Sequence, residues 1–275
     1  MLDSLRAAAT PSRRAPPDRD QPVEPTEEAL GRALLRFDAG LGLFRLVHLL
    51  DAVTRGPAPR VILSVGSGLG LQEAFLALRH PGAEVVGIDL RTPRLAGPLP
   101  NLRFLRGDLF DRSLWDGLPA ADFVFSVECL EHLEDDETVV GLMASKLAPG
   151  GRLYLQVPFA SEAELADREL CRRERDEHGH VRPGYSPERL RGLAARHGLA
   201  VELIAAAYRF PLQPFVRAGT EAIDDAFLAP RWRSVLTLLE TDVRDGLAAN
   251  RTEATAIRLL APREGPGGPG LQPNR

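Results

Sequence analysis

The chain has 275 residues, room for one decorated α/β domain or two small ones, with 44% hydrophobic and 26% charged residues, an ordinary globular composition. A formal net charge of −4 gives no bulk reason to expect nucleic acid or an anionic membrane as partner. The two cysteines, Cys129 and Cys171, make no disulfide framework and suit a reducing cytoplasm, and no apolar run reaches the ~20 residues of a membrane span.

Residues 1–25 are rich in Pro, Arg, Ala and Asp and are expected to form a disordered leader, because they cannot bury enough apolar surface to offset ordering. Thr26-Glu27-Glu28 reads as a helix start, with an N-cap and acids in the first turn. Apolar residues from Leu34 to Leu50 then predict N-terminal helices across 26–56, although Arg45 and His48 interrupt the most apolar stretch. Strand-like runs follow at Val61–Val65, Glu84–Asp89, Leu102–Arg106, Phe123–Val127, Arg152–Val157 and Ala200–Ala205. Helical segments separate them at Gln72–Leu78, Asp136–Leu147 and Pro187–His197, the last capped by Ser186. A helical insert over 210–250 (Pro214–Phe227 and Trp232–Leu247) precedes a last strand, Ala254–Leu260, and residues 263–275 read as a disordered tail. Alternating strands and helices predict one α/β domain over 26–262, with a mostly parallel seven-stranded sheet covered on both faces.

The most informative stretch is Val61-Ile62-Leu63-Ser64-Val65-Gly66-Ser67-Gly68-Leu69-Gly70. A buried strand ends in glycines at alternate positions, where the chain must turn sharply and let a ligand touch backbone. A dinucleotide turn would need glycine at position 71, and that residue is Leu71. This argues against an NAD-dependent oxidoreductase.

The G-x-G-x-G spacing resembles the first motif of class I S-adenosylmethionine-dependent methyltransferases, and the resemblance extends over residues 60 to 205. Val85-Val86-Gly87-Ile88-Asp89-Leu90, Leu105-Arg106-Gly107-Asp108-Leu109, Ala121–Ser126 and Leu147–Leu153 follow in the family's order. The resemblance implies a Rossmann-like methyltransferase fold. It implies that Gly66, Ser67, Gly68 and Gly70 approach the cofactor and that Asp89, followed by Leu90, holds the ribose hydroxyls. Asp108 and Leu109 would read adenine, and Val127 would close the site at the end of the fourth strand. Pro149-Gly150-Gly151 is expected as a tight turn before the fifth strand. One departure is Ser64, where the family usually carries an acid that helps hold the methionine ammonium. Either backbone carbonyls near Gly66 suffice without that acid, or another acid compensates, with Glu73 in the following helix as the positional candidate.

Beyond the fourth strand lies Glu128-Cys129-Leu130-Glu131-His132. If it opens a helix, the i and i+3 spacing puts Glu128 and Glu131 on one side, next to an imidazole. The segment resembles the E-x-x-E-H motif of ubiquinone-pathway O-methyltransferases and of small-RNA 2′-O-methyltransferases. In the RNA group a later histidine completes a metal site, and His180 is the candidate for it. Three readings stay open: His132 as general base, Glu128, Glu131, His132 and His180 as ligands of a divalent metal, or a purely structural role with His132 as a packed hydrogen-bonding residue. Cys129 reads as a small buried hydrophobe. Arg182 is a candidate to orient an anionic or carbonyl acceptor, or else to order its loop.

The expectation is a cytoplasmic S-adenosylmethionine-dependent methyltransferase acting on an oxygen of a small-molecule acceptor. The alternatives are an RNA 2′-O-methyltransferase with a metal site, which the charge balance disfavours, and a degenerate, non-catalytic partner protein, which Ser64 suggests.

Overall fold

The computed structural model describes residues 21–36, 41–207 and 256–263. Strands β1 (Val61–Val65), β2 (Glu84–Asp89), β3 (Leu102–Arg106), β4 (Ala121–Val127), β5 (Leu147–Pro158), β6 (Leu203–Ala207) and β7 (Ala256–Pro262) form one sheet, in the order β3-β2-β1-β4-β5-β7-β6. All neighbouring strands are parallel except β7, which runs antiparallel to both β5 and β6. β1 and β2 read as near-continuous apolar runs because helices cover the sheet on both sides, leaving no solvent face to select polar residues.

Among the described residues there are eight α-helices: α1 (Glu27–Arg36), α2 (Leu41–Thr54), α3 (Leu71–Arg79), α4 (Arg112–Asp116), α5 (Asp136–Ser145), α6 (Glu162–Ala166), α7 (Arg168–His178) and α8 (Pro187–Arg196). None is long and apolar enough to cross a membrane. One apolar layer joins Leu63, Val65, Val86 and Val124 of the sheet to Val140, Met143, Leu190 and Leu193 of α5 and α8. The other joins Ile62, Val85, Phe123 and Tyr154 to Leu49, Val53 and Leu76 of α2 and α3. Buried Arg152 of β5 fastens α2 to this second layer. Its guanidinium donates to the carbonyls of Ala52 and Val53 at the carboxyl end of the helix, at 2.9 and 3.0 Å, where a cation suits the helix dipole.

β1 to β4 start and end close to the expected places, whereas β5 begins at Leu147, ahead of the expected Arg152. Four local features differ. Pro149-Gly150-Gly151 is no separate turn: it lies inside β5, where Gly150 takes φ 76° and the pairing register with β4 shifts between Ala121 and Phe123. The glycine lets the strand bulge and continue instead of reversing. The sixth strand begins at Leu203, later than expected, because before it, among the described residues, only Ala200 N and Glu202 N bond across, to Pro262 O and Leu260 O. The end of the expected leader is held against the body, with Val23 N donating to Arg94 O and Ala96 N to Val23 O. Glu128-Cys129 does not open an α-helix: Leu130–His132 makes a single 3₁₀ turn.

The expected helices at 214–227 and 232–247 lie outside the described residues. At the border of that segment, Ala207 and Ala256 are partners in one rung of the β6–β7 ladder. β6 runs parallel to β5, so this rung sits at the carboxyl edge of the sheet, the edge where α/β sheets bind ligands.

Candidate functional site

The glycine turn is built by the end of β1 against the end of β2. The N–H groups of Gly66 and Ser67 both donate to Ile88 O, and Gly70 N returns to Ser67 O. Gly66, Gly68 and Gly70 all take positive φ, at 79°, 54° and 78°. At Gly66 a side chain is excluded twice over, by the backbone conformation and by Cys129, which fills the place of a Cβ. That packing buries the thiol and pushes its pKa up to about 12, so Cys129 is a packing residue and no nucleophile.

Asp89 closes β2 beside this turn. Its Oδ2 accepts from Gly68 N at 2.7 Å and its Oδ1 from Arg91 N at 2.8 Å. A carboxylate has about four acceptor sites, so two backbone donors orient it and leave capacity for two vicinal hydroxyls. Asp108, after β3, accepts from Phe110 N at 2.9 Å and is exposed. Leu109 is buried, and its carbonyl is held by the Trp115 indole N–H at 2.8 Å. Leu90 and Phe110, beside these two acids, are 63% and 42% exposed, an apolar pair standing open at the carboxyl ends of adjacent strands.

Beneath the turn, Ser64 and Glu73 are both buried, and the Ser64 hydroxyl donates to Glu73 Oε1 at 2.5 Å. Burial raises the Glu73 carboxyl to about 7, with the Asp89 charge adding to the rise and the Ser64 hydrogen bond opposing it.

The second cluster gathers beyond β4. Glu128 has φ 51°, the one side-chain-bearing residue with positive φ among the described residues, and such strain gathers at functional sites. Its N–H donates to Gln156 O, and its carboxylate takes the Arg45 guanidinium of α2 at 2.9 Å. Glu131 is buried and its Oε2 has no hydrogen-bond partner; burial, and after it the Glu128 charge, holds its carboxyl well above the usual range.

His132 Nδ1 lies 3.2 Å from Gly179 O. A carbonyl only accepts, so Nδ1 carries the proton and Nε2 presents a lone pair. His180 repeats the arrangement, with Nδ1 3.0 Å from Glu174 Oε2 of α7. Burial and the neighbouring His132 lower its pKa and favour the neutral ring. The two imidazoles meet edge to face, with centroids 4.7 Å apart. Ligand atoms of Glu131, His132 and His180 all lie within 4.8 Å of one another.

Thus three of the four expected metal ligands converge, while Glu128 is turned to Arg45. The loop carrying His180 is tied down by Val181 N to Glu131 O and by Tyr185 N to Pro158 O. Arg182 completes the tie: it donates to Leu130 O, Glu134 O and the Tyr185 hydroxyl, which itself donates to buried Asp136 at 2.8 Å. Its geometry is that of a loop-ordering residue.

Sequence reasoning missed Arg45 and Glu174. Arg45 showed only as a charge interrupting an apolar run, and Glu174 as one acid in a mixed-charge helix.

The topology and the glycine turn define a Rossmann-like α/β fold, of the kind that presents a nucleoside cofactor at the carboxyl edge of its sheet. Comparison with known proteins makes the class specific. A family model described as a methyltransferase domain matches residues 41–204, and the chain belongs to that family, the class I S-adenosylmethionine-dependent methyltransferases. The trans-aconitate 2-methyltransferase of Acidovorax sp. (strain JS42) is 29% identical over 195 residues, covering 67% of this chain and 74% of the relative. The Methylobacterium radiotolerans enzyme of the same name is 35% identical over 101 residues, which span 37% of this chain and only 39% of the relative. Among solved structures, geranyl diphosphate methyltransferase in complex with S-adenosylmethionine superposes with TM-score 0.58 at 13% identity, covering 89% of this chain and 98% of that one. An O-methyltransferase family protein from Burkholderia thailandensis gives TM-score 0.53 at 18% identity, covering 87% and 60%. At such identities the structures show the shared fold.

Proposed function

We propose that the protein transfers the methyl group of S-adenosylmethionine to a hydroxyl oxygen of a small-molecule acceptor, with His132 as the proton acceptor. Gly66, Ser67, Gly68 and Gly70 meet the methionine and ribose of the cofactor, Asp89 accepts from the ribose hydroxyls, and Asp108 and Leu109 read adenine. Leu90 and Phe110 supply the apolar surface that a purine needs, and Val127 borders the reacting centre. The acceptor oxygen attacks the methyl carbon as the carbon–sulfur bond breaks. The bonding pair returns to sulfur, which leaves as a neutral thioether, and the acceptor's proton passes to His132 Nε2. The cofactor carries the activated group, so the protein supplies alignment and a proton sink.

The observation that carries this reading is the fixed His132 tautomer, with its lone pair directed away from Gly179 O. The charged groups beside it also bear on the acceptor. The relatives are named for trans-aconitate, a polycarboxylate, yet the guanidinia at this edge are engaged with protein groups, Arg45 with Glu128 and Arg182 with the carbonyls of Leu130 and Glu134. A neutral hydroxyl compound fits such an edge better than a polyanion. The test is S-adenosylhomocysteine release with a panel of hydroxylated small molecules, trans-aconitate and short RNA. Turnover confined to hydroxyl compounds is expected; turnover of trans-aconitate alone would replace the hydroxyl assignment.

One further reading is favoured by a specific observation: the cluster fits a divalent metal ion. In metal sites each ligating histidine typically donates its second ring N–H to a carbonyl or carboxylate, as His132 and His180 do here to Gly179 and Glu174. The unpartnered Glu131 Oε2 would supply a carboxyl oxygen donor, ionised once a cation is bound. Glu131, His132 and His180 would hold the ion, which when bound would polarise an acceptor oxygen; Glu128, held by Arg45, would stand outside its coordination. Metal content of the purified protein, and activity after chelation and re-addition, decide between this and the metal-free base.

A further inference from the structure

Glu73 is a buried carboxyl that methyl transfer, as described, does not use. It sits in the first turn of α3, directly under the glycine turn. Its side chain is fully enclosed, Oε1 takes the Ser64 hydroxyl at 2.5 Å, and Oε2 has no hydrogen-bond partner. A first-turn acid that merely complements a helix dipole gains little from burial, and it stays in water at no cost. Here no ion pair to a Lys, Arg or His side chain compensates it among the described residues, and an enclosed carboxylate lacking a counter-ion is costly. The cofactor brings cations to this place: S-adenosylmethionine carries a sulfonium and an α-ammonium at its methionyl end. Asp89, the nearest other acid, is already oriented by Gly68 N and Arg91 N at the ribose side.

We propose that Glu73 is the counter-charge for the cationic methionyl end of bound S-adenosylmethionine, acting through Ser64 and the glycine turn, so that the acid absent from β1 is supplied by α3. Ser64 relays the interaction: its hydroxyl is donated to Glu73, which leaves its oxygen lone pairs as acceptors on the turn side. The serine and the glutamate thus divide between two elements what a strand carboxylate would do alone. The raised carboxyl accords with this, since an arriving cation favours the ionised form that burial disfavours. Among the described residues the groups facing Glu73 are the Ser64 hydroxyl of β1 and the Asp89 carboxylate at the end of β2. The Arg79–Glu27 pair joining α3 to α1 lies at the far end of the helix, and the Arg103–Glu84 pair of β3 and β2 lies at the opposite sheet edge.

Calorimetric titration of the full chain with three ligands tests this. S-adenosylmethionine and S-adenosylhomocysteine carry the amino-acid end; 5′-methylthioadenosine lacks it. Glu73→Gln is expected to weaken the first two about 10- to 100-fold and to leave 5′-methylthioadenosine within about twofold. The double variant Ser64→Asp/Glu73→Ser, which returns the carboxylate to the strand, is expected to restore most of the loss. An equal loss for all three ligands, no loss for any, or no restoration would overturn the proposal. The unsubstituted protein gives an independent reading should the variants fail to fold. Between pH 7 and 5.5, where the cofactor's amino group stays protonated, affinity for S-adenosylmethionine should fall about tenfold and that for 5′-methylthioadenosine should stay flat. Parallel behaviour of the two ligands would refute Glu73 as the counter-charge.

Discussion

The two halves of the carboxyl edge are made in different ways. On the β1–β2–β3 side the site is backbone and strand-end acid: a turn of three positive-φ glycines, with Asp89 and Asp108 closing the next two strands. On the β4–β5 side it is a meeting of side chains from distant segments: Arg45 of α2 on Glu128, Glu174 of α7 on His180, and Gly179 O on His132. In the proposed reaction the first half would hold the cofactor, and the second, which depends on how helices and loops are tied together, would meet the acceptor. Substitutions in each half should therefore separate cofactor binding from turnover.

The largest effect is expected from His132→Ala. Loss of a positioned base lowers kcat about 10²- to 10⁴-fold. Affinity for S-adenosylhomocysteine should stay unchanged, measured by calorimetry beside the rate. A matching loss of cofactor affinity would break the separation. Asp89→Ala should do the reverse and weaken cofactor binding about 100-fold, because charge-assisted hydrogen bonds to two hydroxyls are lost while the turn loses its Gly68 anchor.

The third prediction concerns pH and the protein without cofactor. The Glu73 carboxyl lies at about 7 in the fold against 4.5 for the ordinary group, so the folded state binds the proton more tightly. Its contribution is fully present below about pH 4.5 and is lost as pH rises through 7, amounting to roughly 3 kcal/mol. Urea denaturation should therefore show the protein losing stability, relative to Glu73→Gln, between pH 5 and 7.5. Saturating cofactor should flatten that difference.

The smallest effect separates scaffold from site. Arg152→Met should cost about 2 kcal/mol in urea unfolding, by leaving the Ala52 and Val53 carbonyls without their donor. It should also lower turnover more than cofactor affinity, since the helix it fastens carries Arg45 to Glu128.

The same division explains what could be read in the sequence. The glycine turn and the strand-end acids obey short spacings, so Val61–Val65, Glu84–Asp89 and Leu102–Arg106 fall where local pattern places them. Ser64 and Glu73 are nine residues apart, joined by the glycine turn and the start of α3, within reach of the same reasoning. Arg45 and Glu128 are separated by 83 residues, and nothing local says that one interrupts an apolar helix to meet the other. The Glu128–His132 segment misled for a related reason. Its helical spacing is genuine, but a left-handed residue at Glu128 and a single 3₁₀ turn set its geometry, and tertiary ties to Gln156 and Val181 override periodicity. Short helices such as α4 and α6, set by the caps Asp111 and Ser161, are too brief to leave a periodic signal.

The rung between Ala207 and Ala256 has a consequence for how such a protein can change over time. The chain between them departs and returns at neighbouring points of one ladder, so its length and composition are decoupled from the register of every other strand. Closing a longer excursion costs only a logarithmically growing entropy, about 0.6 kcal/mol per doubling. Residues 208–255 can therefore change in length by insertion or deletion while the strand register and the glycine turn after β1, at the other side of the sheet, are inherited unaltered.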